Sequence, residues 1–204
     1  MVRNPSRRAA VTDAALRVLG RDGSRALTHR AVDTLAEVPA GTCANYFPTR
    51  AALVLALAER VFERLVPDTA RLSQLAEVPD TDALAEYTGY VVERLTLDPD
   101  LARALVELRL EASRSPEVHE VLAPFLRRGL HDDVSFHEAR GLPGGQRVVL
   151  LLHHVVNGIV LDHLTIPLDP LDDPVATAKA AARLLSAGRP GANGDRTDGR
   201  GRLT

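Results

Sequence analysis

The 204-residue chain reads as an all-α protein of about nine helices. Three observations predict this. Apolar residues recur three and four positions apart through most of the length, the spacing that lines one face of a helix. No segment alternates apolar and polar residues with strand-forming side chains. Gly, Pro and Ser/Thr/Asp residues fall at the edges of the periodic stretches, where caps and stops belong. Hydrophobic residues make up 45% of the chain, enough for a buried core at this length and too many for wholesale disorder.

The first helix starts near Ser6: Val11, Ala14, Ala15, Val18 and Leu19 share one face, and Gly20–Gly23 signal its end. Thr28 is a natural N-cap for a short second helix carrying Val32, Leu35 and Ala36. Glu37 to Ala40 separate it from a third short segment ending at Tyr46-Phe47-Pro48. Pro39 fits that segment's first turn, where a missing N–H costs nothing. Thr49 caps a longer helix with Leu53, Leu57, Val61 and Leu65 four apart, ended or kinked by Pro67. Ala83–Leu97 aligns Leu84, Tyr87, Val91 and Leu95. Leu101–Ser113 lies between Pro99 and Pro116, and Glu117–Ala139 carries Val118, Val121, Leu122 and Phe125. The stretch Gln146–Thr165 is apolar almost all round, so it is either central to a large domain or pressed on one side by a partner. Val175–Ala187 is alanine-rich, and the glycine-rich 188–204 reads as a disordered tail.

Composition excludes several classes. One cysteine, Cys43, rules out a disulfide framework and a cysteine-based zinc module, so a reducing, cytoplasmic compartment is the default. Met1–Arg8 has no apolar segment of a signal peptide. The apolar run 148–166 is broken by His153, His154, Asn157, Asp162 and His163, and reads as a buried helix rather than a membrane span. No Ser/His/Asp order, phosphate loop, paired-carboxylate site or HExxH stands out, so neither an enzyme nor a cofactor is expected. His153 and His154 are about 100° apart on a helix and share no face, so no metal site is expected there either.

Net charge is −2, yet it is unevenly placed. Residues 1–50 hold eight Arg against Asp13, Asp22, Asp33 and Glu37, whereas residues 51–204 hold 17 basic against 23 acidic. A basic head therefore sits on an acidic body. Within the head, two short helices joined by a few residues form a helix-turn-helix candidate over about 28–47, the first bracing the second for entry into a major groove. The small residues Ala40, Gly41, Thr42, Cys43 and Ala44 permit close approach. Thr42 offers a hydroxyl and a methyl to base edges, Asn45 and Tyr46 can donate to phosphates or bases, and Arg30 and Arg50 supply charge.

Thr28-His29-Arg30-Ala31-Val32 and Val38-Pro39-Ala40-Gly41-Thr42-Cys43-Ala44-Asn45-Tyr46-Phe47-Pro48-Thr49-Arg50 resemble the DNA-binding domain of the tetracycline-repressor (TetR) family of transcriptional regulators. The resemblance covers about a quarter of the chain. It implies that Thr28 caps the second helix against a phosphate and that residues 39–46, including Pro39 and Ala40, form the recognition helix. Asn45 and Tyr46 would then lie on the DNA backbone, Gly41 and Thr42 near base edges and Arg50 on a phosphate, with Arg7 and Arg8 reaching an adjoining groove. Two departures stand out. Glu37 replaces the usual turn glycine, and Cys43-Ala44 replaces a bulky residue followed by tyrosine.

The implied organisation is a DNA-binding domain over 6–50 and an effector-binding and dimerisation domain over 51–187. Homodimerisation would use the helices near 146–166 and 172–187. Candidate effector contacts are Tyr87, Tyr90, Leu105, Leu108, His119, Phe125 and His154. The expected function is repression at a palindromic double-stranded operator, released by a small molecule. The alternative is a helical dimer that binds small molecules with weak or no specific DNA binding, which Glu37 would permit.

Overall fold

A computed structural model describes residues 4–142 and 144–187. Among these it has ten helices and no strand: α1 (Pro5–Asp22), α2 (His29–Leu35), α3 (Thr42–Tyr46), α4 (Arg50–Arg64), α5 (Thr69–Ala76), α6 (Asp80–Leu97), α7 (Pro99–Ala112), α8 (Pro116–Ala139), α9 (Gly145–Leu164) and α10 (Pro174–Ala187). The expected tail, 188–204, lies outside the described residues. The tenth helix is α5, whose two turns are too short to show a periodic signal. Asp68 caps it, accepting from the Ala70 and Arg71 amides.

Prolines open several helices. Pro5, Pro99 and Pro116 are the first residues of α1, α7 and α8, behind the capping side chains of Asn4, Asp98 and Ser115. Proline is preorganised for the first helical turn and gives up only an amide that has no intrahelical partner. Pro39 behaves differently. It precedes α3 by a turn, and the helix starts at Thr42 behind Gly41 (φ 87°). Gly20 is not a stop signal but an interior residue of α1. A Cβ there would fall 1.9 Å from the Asp100 carbonyl oxygen, so glycine lets α1 cross the start of α7 closely. Gly23 (φ 77°) is the C-cap.

One continuous core joins α1, α2, α3, α4, α7 and α8 through Val11, Val32, Cys43, Leu57, Leu108 and Leu122. The boundary expected at residue 50 therefore does not separate two cores. Arg60 and Arg64 of α4 both donate to Asp13 of α1, and Arg64 also reaches Asp98 at the start of α7. Burial alone would raise the Asp13 pKa, but the hydrogen bonds and charges of Arg60 and Arg64 outweigh it and hold the carboxyl below its ordinary value.

A second layer packs α6, α9 and α10. Fully buried Ala178 and Ala182 let α10 lie close on α6, where Lys179 crosses Gly89 and donates to Glu86 at 2.7 Å. Helix α9 is long and apolar enough to cross a membrane. Its buried face (Val149, Leu152, Val156, Val160 and Leu164) packs within the bundle, while Leu150, Leu151 and Leu161 face outward. It is thus half-covered rather than buried all round.

Candidate nucleic-acid interface and small-molecule pocket

Helix α3 has five residues, too few to persist alone, because one turn of helix fixes many torsions for very few hydrogen bonds. The chain holds it through Asp33 of α2. That carboxylate, 5% exposed, accepts from the Gly41 amide through Oδ2 and the Cys43 amide through Oδ1, both at 2.7 Å. Asp33 thus caps α3 from the neighbouring helix and neutralises the positive end of its dipole. Sequence reasoning missed this residue, counting it only as an acid in a basic head.

Glu37 takes the left-handed conformation (φ 53°), alone among the described non-glycine residues, at a cost of about 1–2 kcal/mol. The turn geometry is therefore kept despite the missing glycine. Burial, and then the Asp33 charge, push the Cys43 thiol up to about 11; with no exposed surface, it is a packing residue. Phe47 closes the same core, with the Arg8 guanidinium 5.2 Å above its ring.

The expected DNA-facing residues divide into two groups. Pro39, Ala40, Gly41 and Asn45 are exposed, as are Thr28 and Arg30 at the start of α2. The Thr28 hydroxyl accepts from the Ala31 amide. Others already have protein partners. The Thr42 hydroxyl donates to the Pro39 carbonyl at 2.6 Å. The Tyr46 hydroxyl donates to the Asn4 carbonyl at 3.2 Å. The Arg50 guanidinium donates to the Ser24 and Leu27 carbonyls and to Ser24 Oγ, so it braces the α1–α2 loop instead of standing free for a phosphate. Arg30 has no ion-pair or hydrogen-bond partner for its guanidinium among the described residues.

The body contains a half-open pocket between α6, α8 and α9, lined by Leu84, Tyr87, Val91, Phe136, Leu152 and Val156 among others. Its carboxylate is Asp133. One carboxylate oxygen accepts from the Tyr87 hydroxyl at 2.9 Å, and the other lies 2.8 Å from His153 Nε2. The Tyr87 ring stacks on Phe136 with centroids 4.6 Å apart. Burial, then the negative Asp133, push the Tyr87 phenol well above its ordinary value.

Only Tyr87 of the expected effector contacts lines this pocket. Tyr90 instead accepts the Asp68 amide, anchoring the start of α5. Leu105 and Leu108 belong to the core shared with the head, and Phe125 stacks on Phe62 of α4 at 4.7 Å. His119 and His154 are exposed. The 100° between adjacent helix residues puts His153 in the pocket and turns His154 to the outer face. Of the pocket's other lining residues, Asp133 and Phe136 were not singled out in the sequence, and His153 was considered there only together with His154.

The family model "Tetracyclin repressor-like, C-terminal domain" matches residues 79–187, more than half of the chain. The chain belongs to the TetR family. Among curated relatives it is 28% identical over 124 residues to the HTH-type transcriptional regulator BetI of Rhizobium meliloti (strain 1021), 61% of each chain. It is 30% identical over 117 residues to the HTH-type transcriptional repressor KstR of Mycolicibacterium smegmatis, 56% of this chain and 57% of that one. The matches thus span about three-fifths of those relatives. A crystal structure of the multidrug binding protein EbrR complexed with imidazole matches 93% of this chain and 99% of its own, with TM-score 0.66 and 28% identity. EbrR is also known complexed with ethidium and with proflavin.

Proposed function

We propose that the chain is a dimeric repressor that reads a palindromic operator through α2 and α3 and releases it when a small molecule fills the α6/α8/α9 pocket. The observation that carries this reading is the Asp33 clamp. It fixes a five-residue helix with small residues at its N-terminus and Thr42 and Asn45 accessible, which is the arrangement groove reading needs. One such helix covers few base pairs, so two copies are required. The uncovered face of α9 and α10, with Leu150, Leu151, Leu161 and Leu184, is the surface on which a second copy would pack.

Helix α8 supplies the mechanical link. Its C-terminal half lines the pocket with Asp133 and Phe136, and its N-terminal half stacks Phe125 on Phe62 of α4. Pro124 lies one residue before Phe125, inside α8, where its missing amide weakens the helix. A ligand that favours one placement of α8 would shift α4, and with it the spacing of the two heads.

Selection of bound duplexes from a random pool by the purified chain tests the reading. A twofold-symmetric consensus is expected, and the Thr42→Ala variant should select an altered one. The Arg50, Tyr46 and Thr42 hydrogen bonds within the head, together with Glu37, favour a second reading, a ligand-binding dimer without specific DNA affinity; a pool that fails to enrich would establish it.

A further inference from the structure

The pocket carries one carboxylate, Asp133, in a mostly apolar wall; His153 Nε2 lies 2.8 Å from it, an ion pair only when that ring is protonated. Its wall is mostly Leu, Val, Tyr and Phe, and Asp133 is the only Asp, Glu, Lys or Arg among its lining residues. Its two partners, the Tyr87 hydroxyl and His153 Nε2, occupy two of roughly four lone-pair positions on the carboxylate. The Arg94 charge acts on the Tyr87 phenol, but its guanidinium donates to the Leu65 carbonyl and lies over the Tyr90 ring. His137, the other histidine on the wall, is buried. A carboxylate in an apolar cavity is costly unless something offsets it, and the stacked Tyr87–Phe136 pair beside it is a surface that attracts flat rings and cations.

We infer that this pocket selects an organic cation with a flat apolar body, its charged nitrogen held by Asp133 and its body lying along Tyr87 and Phe136. The inference names the ligand class for the effector site proposed above, so its regulatory consequence rests on that proposal. Asp133 also ties α8 to Tyr87 of α6 and His153 of α9. A cation that competes for the carboxylate would loosen these ties, so recognition and helix displacement would share one group.

The test is fluorescence binding by the full chain without DNA, using three probes: the cation proflavin, the neutral N-phenyl-1-naphthylamine and the anion 1-anilinonaphthalene-8-sulfonate. Wild type is expected to bind proflavin at least tenfold more tightly than the anion. Asp133→Asn should abolish that preference while leaving the neutral probe within about twofold, and Asp133→Glu should retain it. Helical circular dichroism verifies folding; should Asp133→Asn fail to fold, the wild-type charge order and Asp133→Glu decide. No saturable proflavin binding, or a preference unchanged in Asp133→Asn, overturns the inference. A wild-type chain that shows no cation preference while still binding operator rejects this inference alone. Proflavin binding that leaves an operator complex undisturbed rejects the regulatory role alone.

Discussion

Replacing Asp33 by Ala removes two hydrogen bonds of 2.7 Å from a carboxylate that is 5% exposed. Hydrogen bonds to a charged group contribute about 1.5–3 kcal/mol each, and a buried donor left without a partner costs about 1–3 kcal/mol. The Cys43 amide is buried and bears this in full, whereas the Gly41 amide can reach water. A net loss of about 3 kcal/mol follows. For a chain of this size it corresponds to a fall in Tm of roughly 6–12 °C. Asp33→Asn keeps one acceptor and should lose about half as much. Because α3 cannot hold itself together, the first sign should be local: amide exchange across residues 39–47 should quicken before the rest of the core opens. Thermal denaturation followed by circular dichroism, with hydrogen-exchange mass spectrometry of that segment, measures both. An Asp33→Ala chain that melts within a degree of wild type, with unchanged exchange at 39–47, would refute the clamp.

Five further outcomes are expected. The Cys43 thiol, pushed up to about 11, should resist Ellman's reagent at pH 8 in the native chain and react once the chain is unfolded in urea; rapid native labelling contradicts the packing role. Asp13 has a folded pKa below its unfolded value, so its stabilisation is complete above about pH 4 and is lost as pH falls through the folded value. Asp13→Asn should therefore destabilise at neutral pH by about 1–2 kcal/mol and flatten the acid limb of urea denaturation, an effect absent if Arg60 and Arg64 do not pair with it. Leu161→Glu on the uncovered face of α9 should give a monomer in sedimentation with native helicity, and a persisting dimer removes that face from the interface. Arg30→Ala should shallow the salt dependence of operator binding by about one. Arg50→Ala should instead lower head stability by about 1–2 kcal/mol with little change in slope, and the reverse pattern would return Arg50 to the phosphate backbone.

The sequence made the head more legible than the body, for identifiable reasons. The Thr28 and Thr49 caps act within three residues, so their spacing alone reveals them. Glu37 stood out because a left-handed turn normally calls for glycine. Asp33 was hidden because its partners lie eight and ten residues away, across a turn whose path no local pattern gives. Arg50 and Tyr46 were assigned outward by residue type, yet each finds a carbonyl in another segment of the head. In the body, α9 is apolar on most sides, so periodicity could not fix its rotation, and the choice between His153 and His154 was lost with it. Tyr87 was placed with Leu84, Val91 and Leu95 on one face of α6, and Leu84, Tyr87 and Val91 line the pocket together. Leu105 and Leu108 are indistinguishable by type from pocket-lining residues; only the packing of α7 against the head assigns them to the core.

The central claim is that two identically presented α3 helices read one face of a duplex. It is tested most directly by taking a selected operator and inserting half a helical turn, roughly five base pairs, between its half-sites. The insertion leaves every base and phosphate of each half-site intact but rotates one to the far side of the DNA. The account predicts that affinity falls about 100-fold or more, and that inserting a full turn restores part of it. Equal affinity for the original and half-turn duplexes would contradict paired reading by the two heads.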